Sequence, residues 1–134
     1  MLRYLKCFRD RLEMGKENQS DKLVKLYDEH KRLKLTIAAS NILYVNSELN
    51  YVSINYLESN KVKEYLLRCS MKSIGETLAQ YGMIRCHRSY LVNPRHVTIL
   101  GKDNDGFTYA TLDIPGISKV PVSKQYCDSL AALL

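Results

Sequence analysis

The sequence predicts a mainly β domain with one or two short helices, arranged as a sandwich or barrel-like stack of antiparallel sheets. Its 134 residues are 46% hydrophobic and 25% charged, which is the ordinary composition of one globular domain. Several short β-prone segments follow residue 22, and turn-forming residues separate them. No apolar run approaches the roughly 18 residues that a membrane-spanning helix needs.

The first 21 residues differ from the rest and predict a basic helix followed by a linker. Hydrophobic residues recur there at helical spacing among basic ones: Leu2, Leu5, Phe8 and Leu12. Residues 15–20 break this pattern. We therefore expect an N-terminal helix and linker over residues 1–21, and one β-rich domain over residues 22–134. Because the apolar face covers only about two helical turns, it is too short for a stable coiled coil. The isolated protein is expected to be a monomer or a weak dimer.

Alternating apolar and polar residues predict the strands in the first half of the domain. These strands are expected at Leu23–Tyr27, Leu33–Ile37, Ile42–Ser47, Tyr51–Leu57 and Val62–Arg68. In the fourth of them, alternation directs Val52 and Ile54 to one side. Ser53 and Asn55 are expected on the other side.

A helix and a second group of strands are predicted in the rest of the domain. Met71, Ile74 and Leu78 recur at helical spacing. Ser70 or Ser73 can cap the start of this helix, whereas a glycine at position 82 suits its end. Further strands are expected at Met83–Cys86, Val97–Lys102, Phe107–Leu112 and Val120–Val122, before a last helix that begins after Ser123.

Motifs for catalysis and for metal binding are absent from the sequence. The six glycines are isolated, so they form no phosphate-binding loop, and the three histidines have no obvious carboxylate partner. Residues 103–106, Asp-Asn-Asp-Gly, resemble part of a calcium loop. They lack its downstream glutamate, and Asp-Gly is an ordinary hairpin corner. The four cysteines are scattered and predict reduced thiols. We therefore expect no enzyme, no metal, no cofactor and no small-molecule substrate.

The densest group of basic residues without acids lies between Arg85 and His96. It matters more than the net charge of +6, because residues 1–34, with ten basic and six acidic residues, hold most of that excess. Guanidinium groups can bind phosphates or read guanine, and neighbouring hydroxyl, imidazole and amide groups can donate to phosphate oxygens. In the alternative interpretation, His87 and Ser89 only stabilise a turn. The chemistry of this stretch leaves both interpretations open.

Five motifs, in order along the chain, resemble the LytTR-type DNA-binding domain of bacterial transcription regulators. They are Ile42–Val45, Asn50–Val52, Leu66–Arg68 with Met71–Ser73, Arg85–Asn93 and Pro121–Tyr126. The fourth motif closely follows the family signature and is the most specific of them. The resemblance extends from about Leu23 to the C-terminus.

The resemblance implies an elongated stack of small antiparallel sheets that carries short helices. It also implies sequence-specific binding to duplex DNA by loops that enter the major groove, with two copies on paired direct repeats. The chain would then be a cytoplasmic transcriptional regulator, of the output type found in two-component response regulators. The residues before the first strand are too few for a receiver domain, so the chain is expected to be either a stand-alone regulator or the cytoplasmic part of a longer protein. In the second case a receiver, sensor or membrane segment would lie upstream. The competing hypothesis is a protein-interaction module, or the cytoplasmic part of a membrane-anchored sensor, that has lost DNA binding.

The match to the family motifs also assigns residues to the DNA-binding face. They are Asn50, Tyr51, His87, Arg88, Ser89, Asn93 and Lys124. Arg88 is the expected base reader, because its planar fork can donate to both guanine acceptors at once. Lys124, at the start of the last helix, is expected to contact the DNA backbone or a nearby base edge. His87 and Asn93 are each expected either to bond a phosphate or to brace the loop that presents Arg88.

Overall fold

A computed structural model describes residues 22–114, 116 and 119–133 of the chain. The helix and linker expected over residues 1–21 lie outside the described residues. Within the described ranges, the chain forms ten strands and two α-helices. None of the helices in these ranges is long and apolar enough to cross a bilayer.

The elements are numbered here in chain order. The strands are β1 Leu23–Tyr27, β2 Leu33–Ala38, β3 Ile42–Glu48, β4 Tyr51–Glu58, β5 Lys61–Leu67, β6 Ile84–His87, β7 Tyr90–Val92, β8 Val97–Lys102, β9 Thr108–Leu112 and β10 Val120–Val122. The helices are α1 Met71–Ala79 and α2 Lys124–Leu133. Every expected strand is present to within a residue at each end. The structure adds β7, which lies inside the Arg85–Asn93 motif.

Three small antiparallel sheets make up the domain. A hairpin of β1 and β2 forms the first, and the third has the order β10-β9-β8. Between them in the chain lies a five-stranded sheet of order β5-β4-β3-β7-β6. All of these pairings are antiparallel. The mainly β class and the stack of small antiparallel sheets are therefore confirmed.

Two hydrophobic cores form on opposite faces of the five-stranded sheet. Adjacent residues of β7 show the division, because Leu91 belongs to the first core and Val92 to the second. The first core is closed by β1, β2 and α1, which contribute buried residues such as Val24 and Leu78. The second is closed by the three-stranded sheet and by Leu130 of α2. The five-stranded sheet is therefore shared by both cores.

Strand β4 is buried on both faces, which the alternation of its residues does not predict. Ser53 and Asn55 do point away from the first core, as expected, but they are 0% and 7% exposed. The Ser53 hydroxyl donates to the carboxylate of Glu64 on β5. The Asn55 side-chain amide donates to Oδ1 of Asn46 on β3 at 3.2 Å. A layer of bonded polar side chains therefore lies where alternation alone would place exposed residues.

Helix α1 begins and ends at the residues that its sequence allows. The Ser70 hydroxyl accepts a hydrogen bond from the backbone N–H of Ser73 at 3.1 Å, so Ser70 is the cap and Ser73 is not. After the helix, Gly82 has a φ of 87°, a left-handed conformation that L side chains rarely adopt. These two residues define the path of the chain into and out of α1.

Candidate nucleic-acid interface

Two turns lie side by side at one end of the five-stranded sheet. The turn Leu49–Asn50 joins β3 to β4. Strand β7 runs antiparallel to β3, and its first residue lies opposite Asn46, near the end of β3. The turn Arg88–Ser89, between β6 and β7, is therefore next to the β3–β4 turn. A hydrogen bond of 2.9 Å from the Ser47 N–H to the Ser89 carbonyl joins the two.

The start of α2 reaches the same end of the sheet through strand β6. The backbone N–H of Ser123 donates to the carbonyl of Cys86 at 2.8 Å. A groove of about 590 Å³ is then lined by His87 and Lys124, together with Lys102 and the exposed Phe107 of the β8–β9 hairpin. We call this region the turn end, and it comprises residues 49–51, 68, 87–89 and 123–124.

The structure brings together six of the seven residues that the sequence assigns to DNA. The four exposed ones are Asn50, Tyr51, Arg88 and Lys124, and the two partly exposed ones are His87 and Ser89. They come from three separate turns or junctions, which only the pairing of the strands makes adjacent. Lys102 and Arg68 are further cations near these residues, and sequence reasoning did not assign either of them to the site.

Asn93 is the seventh residue, and it is fully buried. Its side-chain amide donates to the carbonyls of Ile42 at 2.8 Å and of Ala39 at 3.3 Å. Its Oδ1 accepts from the backbone N–H of Arg95 at 3.2 Å. The sequence left open whether Asn93 bonds a phosphate or braces the loop that presents Arg88. Its partners Ala39, Ile42 and Arg95 lie outside that loop, so its side chain instead braces the connection between β2 and β3.

The β6–β7 turn is held from inside by its own side chains. The Arg85 guanidinium donates to the backbone carbonyls of His87 and Arg88. The backbone N–H of Ser89 donates to His87 Nδ1 at 3.1 Å, so the neutral imidazole carries its hydrogen on Nε2. The His87 ring also meets the Tyr90 ring edge-on, with centroids 5.6 Å apart. These contacts fix the backbone that carries the exposed Arg88 side chain.

The β3–β4 turn is flanked by three side chains in contact, with Arg68 between Tyr51 and Glu29. The Arg68 guanidinium lies 5.6 Å from the centre of the Tyr51 ring. Its Nε is 2.6 Å from Oε1 of Glu29, in the turn between β1 and β2. A side-chain hydrogen bond with Tyr51, followed by the charge of Glu29, raises the pKa of Arg68 above its ordinary value. Arg68 is therefore a fixed cation at the turn end. Arg68 falls within the family-like motif Leu66–Arg68, but the sequence analysis did not assign it to the DNA-binding face.

The basic residues between Arg85 and His96 have two different roles in the structure. Arg95 is half-buried, and its Nη2 donates to the Tyr81 carbonyl at 3.2 Å, while burial lowers its pKa. The Nε2 of His96 donates to the Ser40 carbonyl at 2.7 Å, and its Nδ1 is 2.9 Å from a carboxylate oxygen of Asp113. The expectation that no carboxylate faces a histidine is therefore wrong for His96, and also for His30, whose Nε2 is 3.6 Å from Oε1 of Glu29. These two basic residues stabilise the fold. Of the remaining three, His87 and Arg88 belong to the turn end, and Arg85 braces the turn that carries them.

The β8–β9 turn is closed by one carboxylate. Asp103 Oδ1 accepts from the backbone N–H groups of Asp105 and Phe107, both at 2.9 Å. This bonding is that of a hairpin corner, as the Asp-Gly pair predicts. It also holds the 71% exposed Phe107 side chain beside the groove with Lys124.

Three of the four cysteines lie in the described part of the chain, and all three are free thiols: Cys69, Cys86 and Cys127. Burial raises the pKa of Cys86 to about 12. Burial, helped by the negative charges of Asp28 and Glu29, raises the pKa of Cys69 to about 11. Both thiols are therefore poor nucleophiles at neutral pH. Among the described residues, no three or more His, Cys, Asp and Glu side chains are grouped so that they could hold a metal ion.

Comparison with known proteins shows a family that matches this chain and a solved structure with a similar fold. A family model described as the LytTr DNA-binding domain matches residues 33–134. Among solved structures, the chain is similar to a LytTr DNA-binding domain from Bacillus cereus, described as part of a methyl-accepting/DNA response regulator. The two are 22% identical with a TM-score of 0.62, over 83% of this chain and 94% of that one. At this level of identity, the likeness establishes the fold.

Proposed function

This chain belongs to the LytTR family of DNA-binding domains, and on that premise we propose that it is a transcriptional regulator that binds duplex DNA sequence-specifically through the turn end. The observation that carries the proposal is the convergence of two turns and a helix start on one end of the five-stranded sheet. This end presents basic, amide and aromatic side chains on a backbone that is braced from inside. Such an end can enter a major groove without a recognition helix.

The residues of the turn end take different roles in this proposal. Arg88 reads a guanine in the major groove, because its side chain is exposed and its turn is held by Arg85. Asn50 and Tyr51, on the neighbouring turn, enter the same groove. His87 and Ser89 bond phosphate oxygens beside it. The bonds of Asn93 join the far end of β7 to the connection between β2 and β3, so Asn93 has no DNA contact in this proposal.

Lys124 is the proposed phosphate contact at the groove of the protein that Phe107 also lines. It is the first residue of α2, a ten-residue helix, and its side chain is exposed. The first N–H groups of a helix have no carbonyl partner within it, so they add to the attraction that the lysine exerts on an anion. The N–H groups of Ser123 and Tyr126 are bonded to the carbonyls of Cys86 and Ser123, so the position combines a cationic side chain with the backbone donors of Lys124 and Gln125.

We further propose that two copies bind paired direct repeats and that the isolated domain is monomeric or weakly dimeric. In this proposal the domain serves as the output part of a two-component regulator. A receiver, a sensor or a membrane segment in a longer chain would then control its access to DNA. The proposal assigns no cofactor and no catalytic step to the domain.

Selection from random duplex DNA tests the function directly. We expect one enriched sequence, and a binding constant whose logarithm falls linearly with the logarithm of salt concentration. Binding to the enriched duplex and to a scrambled one, each at several salt concentrations, separates specific from general phosphate binding. If no sequence were enriched and the response to salt were flat, the competing hypothesis of a protein-interaction module would be favoured.

A further inference from the structure

Arg68 contacts Tyr51 and Glu29, and the stability of the fold does not by itself explain these two contacts. The Arg68 and Glu29 side chains are 52% and 44% exposed, and ion pairs at that exposure add little to folding free energy. The backbone already joins the two residues, because the Glu29 N–H donates to the Arg68 carbonyl at 2.8 Å. The side-chain pair is thus a second link at the same place. Its clearest effect is to fix where the guanidinium lies.

The fixed guanidinium borders the surface that carries the β3–β4 turn. A groove of about 390 Å³ is lined by Arg68, Glu29, Asn50 and Tyr51, among others. Oε1 of Glu29 lies beside Nε of the guanidinium, and a guanidinium has five N–H donors, so donors on the two Nη atoms can serve Tyr51 and a further acceptor. A planar fork with free donors beside a groove-entering turn suits a phosphate oxygen.

We propose that Arg68 is a further DNA contact, to a phosphate next to the base-reading turns, and that Glu29 orients it while weakening binding. This inference rests on the proposed function. Glu29 holds the guanidinium at the side of Tyr51, and its own carboxylate repels the phosphate that Arg68 attracts. The acidic residue of the β1–β2 turn therefore tunes affinity at the turn end without touching DNA.

The two members of the pair are expected to change affinity in opposite directions. Arg68→Gln weakens binding to the selected and the scrambled duplex by the same factor, because a phosphate carries no sequence information. It also reduces the slope of log K against log salt by about one unit. Glu29→Gln strengthens binding to both duplexes, by roughly two- to fivefold at low salt, the size of a surface charge effect.

An exposed ion pair away from the turn end provides the control. Lys63 of β5 and Glu58 of β4 are 2.9 Å apart, towards the end of β5 that is opposite to Arg68. Lys63→Gln and Glu58→Gln remove the same charges far from the turn end. Each is expected to leave the salt slope unchanged and to change affinity far less than the corresponding change at Arg68 or Glu29.

The other possible results distinguish a failure of the Arg68 contact from a failure of the proposed function. If Arg68→Gln left affinity and slope unchanged while Arg88→Ala reduced specificity, the Arg68 contact would be wrong and the function would stand. A loss of affinity with an unchanged slope would make Arg68 a positioning residue for Tyr51, which also overturns the contact. If the wild-type protein bound no DNA, the proposed function itself would fail. Should Arg68→Gln unfold, Glu29→Gln alone decides, because unchanged or weaker binding of both duplexes by that variant would overturn the proposal.

Discussion

At the scale of single residues, the turn end separates side chains that face solvent from side chains that hold the backbone. Arg88 and Arg85 are three residues apart and chemically identical. The Arg85 guanidinium donates to the backbone carbonyls of the turn. The Arg88 side chain is exposed and has no bonded partner among the described residues. The same residue type thus serves as a brace at one position and as a candidate reader at the other.

Arg88→Ala is expected to reduce the preference for the selected duplex over a scrambled one by roughly ten- to a hundredfold. The reason is the loss of a bidentate contact to guanine, which is worth about 1–3 kcal/mol of discrimination. Fluorescence anisotropy with the two duplexes measures the ratio directly. Lys61→Ala, an exposed cation at the opposite end of the sheet, is the control. An unchanged specificity ratio in a folded Arg88→Ala protein would show that the reading residue lies elsewhere.

Asn93→Ala is expected to lower the free energy of unfolding by about 1–3 kcal/mol, since two buried carbonyls lose their donor. Urea unfolding followed by circular dichroism measures this change. Asn104→Ala, in the exposed β8–β9 turn, is the matched control and should be nearly neutral. A DNA-contacting role for Asn93 would instead appear as weaker DNA binding with unchanged stability.

At the scale of elements, local sequence predicts helix α1 but does not decide where its cap lies. Two serines three residues apart can each cap this helix by sequence, and only one of them does. Ser70 has extended backbone angles, with φ −88° and ψ 156°, which direct its hydroxyl to the N–H of Ser73. Ser73 already lies inside the first turn, where its carbonyl accepts from the Thr77 hydroxyl at 3.2 Å.

Ser70→Ala should therefore destabilise the protein by about 1 kcal/mol, the usual cost of losing an N-terminal cap. Ser73→Ala should change stability far less, because alanine favours helix interiors and the Thr77 bond uses the backbone carbonyl. Thermal or urea unfolding of the two variants distinguishes these effects. The reverse order, with Ser73→Ala the more damaging change, would assign the cap to Ser73 and contradict the structure.

At the scale of the whole molecule, one sheet joins two hydrophobic cores. Strand β7 contributes Leu91 to the first core and Val92 to the second, and β3 contributes Val45 and Leu43 in the same way. If the packing on one face of the sheet were lost, the strands that also form the core on the other face would no longer be held in place. The described domain is therefore expected to unfold as one cooperative unit.

Cysteine reactivity tests this cooperativity, because Cys86 is buried in the second core and Cys69 packs against the first. Their pKa values, raised to about 12 and about 11, keep both thiols slow to react while the protein is folded. In variants that retain one of these two cysteines, labelling across a urea series should give the same midpoint. Cys127→Ser and Cys7→Ser remove the other thiols. Two separate midpoints would show that the cores unfold independently.

Sequence patterns alone determined most of the strands, because alternation is a local property of consecutive residues. The Arg85–Asn93 motif likewise located the β6–β7 turn and its exposed Arg88. Alternation reports the direction of a side chain but not what covers it, so it could not show that Ser53 and Asn55 are buried. That burial depends on neighbouring strands and on partners such as Asn46 and Glu64.

Tertiary structure alone decided which polar residues meet. Glu29 and Arg68 come from different sheets, and His96 meets Asp113 only because β8 and β9 pair. Asn93 reaches the carbonyls of Ala39 and Ile42 from about 50 residues away along the chain. Hydrogen bonds and ion pairs extend only a few ångströms. Their partners are therefore set by how the sheets pack, and local sequence carries no signal of that packing.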